Sequence, residues 1–223
     1  MKKTFLLLTA ISLASFSFVS CGNDDDEPEN STESSTVLCP FAVGNKWTYD
    51  VEGKYVPTKQ LTQTIEKSFT VDGKTGFSYE KEVSTDKSFA LMNNDAEGNI
   101  VELHFKNGKF VDQSILYKKN AKEGEKYKAQ IATYSDDDTD YEIEEMEMIC
   151  VKRNTSVTVK AGTFNCICYC MVVYDGGELS DKFYHYYAEN VGMVKNVRYE
   201  FPSSNKNDSV MMTKYTLSSY ELK

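Results

Sequence analysis

The chain has few of the residues that nucleic-acid surfaces need. Its Lys and Arg residues, 25 in all, form no cluster, and 34 acidic residues give a formal net charge of -9. Binding to nucleic acid releases counterions only where clustered basic side chains neutralise phosphates, and an acidic surface repels polyanions. We therefore predict that the protein does not bind nucleic acid.

Motifs of common catalytic sites are also missing. The sequence has only two histidines, His104 and His185, and contains no nucleophile elbow, zinc-protease helix, phosphate loop or dinucleotide fingerprint. Paired carboxylates for glycoside cleavage stay open, because they need only be close in space and acids are abundant. The sequence assigns no catalytic residue, no metal and no cofactor, and it favours a noncatalytic protein with a glycan-active enzyme as the third interpretation.

Proline and tryptophan are scarce, at four residues and one, whereas tyrosine and phenylalanine are plentiful, at 15 and 12. Aromatic and β-branched residues favour the half-buried surface of a pleated sheet. After residue 20, no apolar run approaches the roughly 20 residues that a transmembrane helix requires. These features predict a β-rich protein without a permanent membrane-spanning helix.

The first 21 residues form an export signal. Lys2 and Lys3 precede an unbroken run of apolar and small residues, 5–19, which is typical of a secretory signal peptide. Residues 18–21 (FVSC) resemble the lipobox of bacterial lipoproteins, which implies cleavage after residue 20 and acylation of Cys21 by chains such as palmitate. We predict a signal peptide at 1–20 and a membrane partner reached through lipid on Cys21.

A polar segment follows the lipidated cysteine. Residues 22–28 (GNDDDEP) resemble the acidic surface-export signal of lipoproteins from the Bacteroides group. Residues 21–36 contain no large apolar side chain, so they cannot offset their ordering entropy and should form a lipidated acidic tether. The predicted location is the outer membrane with the protein exposed at the cell surface, and the alternative is a periplasm-facing lipoprotein.

From residue 37 onward, polar and apolar side chains alternate with period two, as in strands with one buried face. Asp-Gly at 72–73, residues 94–99 and Asn-Gly at 107–108 predict hairpin turns, because they tolerate positive φ angles. The predicted strands are 46–51, 62–71, 76–83, 100–105, 110–116, 126–133, 141–150, 164–174, 182–187, 192–199 and 210–222.

No segment between these strands is long enough for a crossover helix, so neighbouring strands should pair antiparallel. The predicted fold class is therefore all-β, with residues 37–223 as a single β-rich domain built from an antiparallel meandering sheet. A sandwich and an open curved barrel both satisfy the pattern.

Three segments of the chain carry a resemblance to a known family, namely 40–49 (PFAVGNKWTY), 157–164 (VTVKAGTF) and 186–195 (YYAENVGMVK). Together they resemble exported bacterial proteins of uncharacterised activity that are labelled TapB-like. The resemblance implies a single antiparallel β-domain in the envelope and carries no catalytic residue to this chain.

Five cysteines follow the lipidated one, so at least one thiol has no intramolecular disulfide partner. The sequence leaves three roles open for them: packing in the core, a disulfide or a thiolate metal site. Three of these cysteines are spaced by two residues, which is unlike the spacing in structural zinc sites. The acidic run 135–140 lacks the glycine and distal glutamate of a helix-loop-helix calcium site, and a solvated hairpin tip is favoured there. The cysteines whose pairing the sequence leaves open are Cys39, Cys150, Cys166, Cys168 and Cys170.

Binding to a partner is the function that the sequence favours. Exposed tyrosines could stack on sugar rings, since each presents a flat face and a hydroxyl, although packing in the core also explains them. We hypothesise an aromatic binding surface made by Tyr184, Tyr186, Tyr187 and Tyr199, and Ser209 as a glycan acceptor in the motif Asp208-Ser209-Val210. The predicted partner is a glycan or an envelope protein, and the alternative is an amphiphile carried in a curved-sheet cavity.

Overall fold

The computed structural model describes residues 36–57, 59–83, 87–134, 141–202 and 209–223, and every element named below lies within these ranges. The predicted signal peptide, the Cys21 lipidation site, the tether up to residue 35 and the acidic run 135–140 lie outside them. The described residues belong to one compact unit. They contain no helix, and hence none long and apolar enough to cross a membrane.

Thirteen strands make up the described chain. They are β1 Lys46–Gly53, β2 Lys59–Thr64, β3 Lys67–Val71, β4 Lys74–Ser78, β5 Ser88–Asn94, β6 Ile100–Lys106, β7 Lys109–Tyr117, β8 Lys126–Tyr134, β9 Tyr141–Val159, β10 Gly162–Asp175, β11 Glu178–Ala188, β12 Gly192–Glu200 and β13 Val210–Glu221.

The strands form two antiparallel sheets, which confirms the predicted all-β, antiparallel fold. The larger sheet has eight strands in the order β2-β1-β13-β12-β11-β10-β9-β8, and the smaller has five in the order β3-β4-β5-β6-β7. Within each sheet most neighbours are consecutive in sequence, as in a meander. The exception is β1, which pairs with β13 and so brings the two ends of the domain together.

Two of the three predicted hairpin turns are confirmed by their backbone angles, and the third by the pairing of Asn94 with Ile100. Asp72 and Gly73 have φ of 49° and 74°, and Asn107 and Gly108 have φ of 51° and 69°. Val71 pairs with Lys74 across the first turn, so only two residues connect the strands. Consecutive positive φ angles give the twist that two-residue hairpins need, which is why Asp-Gly and Asn-Gly identified them.

The prediction of one strand over 62–71 was wrong, because the chain changes sheets there. It leaves the larger sheet after Thr64 and enters the smaller sheet at Lys67. Ile65, between them, is completely buried, and its N–H donates to the Asn45 carbonyl at 2.9 Å. The crossing point is held by this buried side chain and by the backbone hydrogen bond to Asn45. Period-two alternation in the sequence indicates neither of them.

The main core lies between the two sheets. From the larger sheet it contains Trp47, Tyr169 and Leu217, and from the smaller sheet Ile100 and Leu116, all at most 7% exposed. The alternation predicted for residues 46–51 is confirmed, since Trp47, Tyr49 and Val51 are each buried while their neighbours are partly exposed. Polar tips of the buried rings find backbone acceptors, as with the Tyr169 hydroxyl, which donates to the Lys118 carbonyl at 2.7 Å.

Segments 40–49 and 186–195 meet in this core. The Trp47 Nε1 donates to the Val191 carbonyl at 2.6 Å. Gly192, with φ of 102°, lies so close that a Cβ there would be 3.1 Å from the Cys39 sulfur and 3.2 Å from the Trp47 Nε1. Glycine is therefore required at this position both by its backbone angle and by the indole that packs on it.

Candidate functional site

The four tyrosines proposed as a binding surface are divided between the two faces of the larger sheet. Tyr187 faces the smaller sheet, and its ring centroid lies 4.5 Å from that of Tyr117 on β7. Tyr184 and Tyr186 have the opposite parity on β11 and lie on the outer face, which is the face turned away from the smaller sheet. The structure therefore brings three of the four tyrosines to one surface and places Tyr187 in the core.

A shallow cavity of about 380 Å³ opens on this outer face. It contains the three remaining tyrosines and also Ser209, which is exposed. We call it the tyrosine–lysine depression, and its lining residues are Tyr184, Tyr186, Lys195, Val197, Tyr199, Phe201 and Ser209.

The register of β11 and β12 places these side chains together. Tyr186 stands directly opposite Lys195, and Tyr184 stands opposite Val197. Tyr199 is the next outward residue of β12 after Val197, two positions further along. Directly paired residues of an antiparallel sheet share a face, so two alternating strands produce one continuous patch.

The rings of the depression are fixed by contacts with each other and with lysines. The Tyr184 and Tyr199 rings meet edge to face, with centroids 5.9 Å apart and an interplanar angle of 85°. Lys195 holds its Nζ 5.2 Å from the centroid of the Tyr186 ring. An ammonium over an aromatic face and an edge-to-face ring pair are both favourable, so these contacts hold the rings of the depression in place.

Two buried cysteines of β10 lie beneath the tyrosines. Cys168 and Cys170 are 4% and 3% exposed, and they pair across β10 and β11 with Tyr186 and Tyr184. The hydroxyl of the facing tyrosine acts against burial and lowers the pKa of each thiol. The cysteines thus form the apolar support on which the two rings rest.

Burial keeps both kinds of side chain protonated. Burial first, and then the nearby Cys168 sulfur, raise the pKa of the Tyr186 hydroxyl. Burial also raises the pKa of Cys170 to about 11, against the opposing effect of Lys182. The Tyr184 and Tyr186 hydroxyls therefore stay neutral at physiological pH, where they can donate and accept hydrogen bonds, and the thiols are poor nucleophiles.

All five cysteines of the described residues are buried free thiols. Cys166 is 1% exposed and packs with Val157, Ala188 and Val194 in a small cluster of its own. Cys150 is completely buried in the main core, to which Cys39 also belongs. In this structure the cysteines serve as small core residues, which was one of the three alternatives that the sequence left open.

The depression is locally basic although the chain is acidic. Lys195 lines it, and the adjacent Lys182 holds its Nζ 5.2 Å from the Phe201 ring. Neither lysine forms an ion pair with a carboxylate of the described residues, whereas Lys214, further out on the sheet, pairs with Glu52. Two ammonium groups beside half-buried rings make the depression complementary to an anionic ligand.

Sequence reasoning missed the lysines, Val197 and Phe201. The period-two rule alone could have excluded Tyr187 from the proposed binding surface, since neighbouring residues in a strand face opposite sides of the sheet. The turn at residues 189–191 would have placed Val194 opposite Tyr186, because a short hairpin pairs residues at equal distances from the turn. A register shift between Tyr186 and Tyr187 brings Lys195 there instead, and no local pattern of the sequence indicates it. Phe201 lies after the end of β12, where alternation gives no guidance.

The carrier alternative requires a deep apolar cavity between the sheets. In the described part of the chain, rings occupy that space: the centroids of Tyr117 and Tyr169 are 5.3 Å apart, and those of Tyr169 and Tyr187 are 6.3 Å apart. The sheet-to-sheet packing therefore gives the carrier alternative no support.

Comparison with known proteins gives one partial match to a family. The model of the DUF3108-like family matches residues 151–215, which is less than half of the chain. This segment begins inside β9, ends inside β13 and contains every residue of the depression. No curated protein matches the chain.

Two solved structures are similar in outline. One is a Bacteroides fragilis protein named as exported and as having a YmcC-like fold, with 13% identity, a TM-score of 0.46 and coverage of 84% of this chain and 100% of that one. The other is a Parabacteroides distasonis protein named as a lipoprotein, with 15% identity, a TM-score of 0.44 and coverage of 83% and 99%. The resemblance to TapB-like proteins stays a prediction.

Proposed function

We propose that this protein is a noncatalytic lipoprotein of the bacterial envelope that binds an anionic glycan in the tyrosine–lysine depression. Lipid on Cys21 anchors it to the outer membrane, and the acidic tether holds the β-domain clear of the cell surface. The observation that carries the proposal is the outward-facing group of Tyr184, Tyr186 and Tyr199 beside Lys195.

The location is supported by the N-terminal sequence. Two lysines, an apolar run and the FVSC block at residues 18–21 are followed at once by an acidic, polar segment. Several acyl chains, each contributing about 0.8 kcal/mol per buried CH₂, make anchoring stable, whereas a single chain is marginal. Exposure on the cell surface rests on the acidic segment, and the periplasmic face is its alternative.

The ligand class is supported by the chemistry of the depression. Tyrosine rings present flat faces to the apolar side of a sugar ring, and their neutral hydroxyls can bond to sugar hydroxyls. Lys195 and Lys182 supply the positive charge that a neutral sugar would not use. A sugar that bears a carboxylate or another anionic group can interact with the ring faces, the hydroxyls and the positive charge at once.

The proposal is tested by binding of the purified chain to an array of acidic and neutral oligosaccharides. We expect retention of acidic members. Tyr184→Ala should weaken their binding about tenfold or more, as expected for loss of a stacked ring. Lys195→Met should reduce binding of acidic members while leaving weak binding of neutral ones unchanged.

Tyr174→Ala is the matched control, because Tyr174 is 56% exposed on β10 and does not line the depression. Circular dichroism should show native folding for each variant. The proposal fails if no saccharide is retained, or if Tyr174→Ala weakens binding as much as Tyr184→Ala does.

A further inference from the structure

A second cavity, of about 560 Å³, lies on the smaller sheet, remote in sequence from the depression. It opens where β4 and β5 diverge, since the two strands share only the pair Phe77 and Met92. Normal pairing would close this space with a ladder of backbone bonds. The separation of two neighbouring strands leaves a cavity instead.

One wall of the cavity is the buried carboxylate of Glu102, a residue that is only 9% exposed. Its Oε2 accepts hydrogen bonds from the His104 Nε2 at 2.9 Å and from the Ala132 N–H at 2.9 Å. Its Oε1 accepts none from the described residues. A carboxylate held in place by one oxygen, with the other unused beside a cavity, is prepared to receive a hydrogen-bond donor.

The remaining lining is aromatic and acidic. Phe77 and Tyr79 contribute rings, and Glu80 and Glu82 contribute carboxylates at the rim, against a single ammonium from Lys87. The faces of aromatic rings attract cations. Rings and negative charge together select a ligand that is both apolar and positively charged.

The described residues that line the cavity do not form a metal site. Hard cations such as Ca²⁺ take six to eight oxygen ligands, and no group of three or more His, Cys, Asp or Glu side chains that could hold a metal occurs in the described ranges. An ammonium group needs fewer hydrogen-bond partners than a metal ion does, and their geometry can be less regular. The apolar body of an organic ammonium ion can pack against the rings.

We propose that this cavity binds an organic cation, with the ammonium group donating to the Glu102 Oε1 and the apolar body lying against Phe77 and Tyr79. The site is separate from the glycan-binding function, since it lies on the other sheet and shares no lining residue with the depression.

The test is calorimetric titration of the purified full chain with three probes of one shape. These are 2-phenylethylammonium, the neutral 2-phenylethanol and the anionic 3-phenylpropionate. We expect saturable binding of the cation, about tenfold or more weaker binding of the alcohol, and no saturable binding of the anion, because only the cation can pair with a buried carboxylate.

Variants locate the site. Glu102→Gln keeps the shape of the side chain and should weaken binding of the cation about tenfold or more. Tyr79→Leu removes an aromatic ring without altering charge and should weaken binding of the cation severalfold. Glu142→Gln should leave binding of the cation unchanged, because Glu142 is an exposed residue of β9 that does not line the cavity.

Three results would overturn the proposal. The first is binding of 2-phenylethanol as tight as that of the cation. The second is unchanged affinity in both Glu102→Gln and Tyr79→Leu when each melts like the wild type. The third is no saturable binding of the cation by wild-type protein whose circular dichroism is native.

Discussion

Tyr186 and Tyr187 are adjacent in sequence and have opposite structural roles. The Tyr186 ring lines the depression on the outer face, under the Nζ of Lys195. The Tyr187 ring packs against Tyr117 between the sheets, and burial raises its pKa well above the ordinary value. Composition identified an excess of tyrosine, but only the parity of each position separates a surface ring from a core ring.

His185, between Tyr184 and Tyr186 in sequence, is also buried. Its ring stacks on Phe183 with centroids 6.2 Å apart and meets Tyr117 edge to face at 5.4 Å. Its Nδ1 has no hydrogen-bond partner among the described residues. Burial lowers the pKa of His185 from 6.5 to about 4, so the ring is neutral at physiological pH.

This lowered pKa predicts an acid-sensitive contribution to stability. Between pH 6.5 and 4 the unfolded chain binds a proton at this residue that the folded chain does not, so the free energy of unfolding falls as the pH falls. The full loss corresponds to about 3 kcal/mol. His185→Phe keeps the ring contacts and removes the titration. The free energy of unfolding of this variant minus that of the wild type should therefore increase by about this amount from pH 7 to pH 4.

The measurement is urea unfolding at pH 7, 5.5 and 4, followed by fluorescence of the single tryptophan, Trp47. Other titrating groups are common to both proteins and cancel in the difference between them. A difference that stays constant from pH 7 to pH 4 would contradict the assignment of a lowered pKa to His185.

At the scale of elements, β8 is the edge of the larger sheet, and side chains of the smaller sheet cover it. The Gln130 N–H donates to the Ser114 Oγ at 2.7 Å, and the Ala132 N–H donates to the Glu102 Oε2 at 2.9 Å. Unpaired N–H groups on an edge strand invite pairing with another chain. Here they join the two sheets instead.

Ser114→Ala should therefore loosen this junction. Ser114 is 7% exposed and its bond to the Gln130 N–H is partly buried, so loss of this acceptor should cost an amount near the lower end of about 1–3 kcal/mol. We expect hydrogen exchange of the Gln130 amide to accelerate at least about tenfold, as measured by nuclear magnetic resonance.

Thr70→Ala is a suitable comparison, since the Thr70 hydroxyl bonds only to that of Thr75 on an exposed surface of the smaller sheet. It should leave exchange at Gln130 unchanged. Unaltered exchange in Ser114→Ala would mean that the serine does not protect this edge.

At the scale of the whole molecule, the predicted targeting signals and the candidate binding sites lie in separate parts of the chain. The predicted export and lipidation signals occupy the first 36 residues, and the two candidate sites lie on the β-sheets. A change at Cys21 should therefore alter location without altering the fold.

Cys21→Ala tests this separation. Without a cysteine to acylate, no lipid anchors the chain, so we expect the protein to move from the membrane fraction to the soluble fraction. Immunoblots of fractionated cells provide the measurement. Cys170→Ala, which removes a buried thiol of β10, should stay with the membranes. A Cys21→Ala protein that still sediments with membranes would contradict lipid anchoring.

The sequence by itself determined the local features of this protein. Period-two alternation predicted an all-β chain with antiparallel neighbours, and Asp-Gly and Asn-Gly located two hairpin turns, because strand parity and positive φ depend only on adjacent residues. The same rule predicts that Tyr184 and Tyr186 share a face.

The tertiary structure alone decided the features that depend on distant residues. The change of sheet at Ile65, the pairing of β1 with β13 and the cover of β8 by Ser114 and Glu102 each join segments far apart in the chain. The depression needs the register of β11 on β12, and the Glu102 cavity needs β4 and β5 to diverge. Such arrangements follow from the packing of whole sheets, and no local pattern of side chains records them.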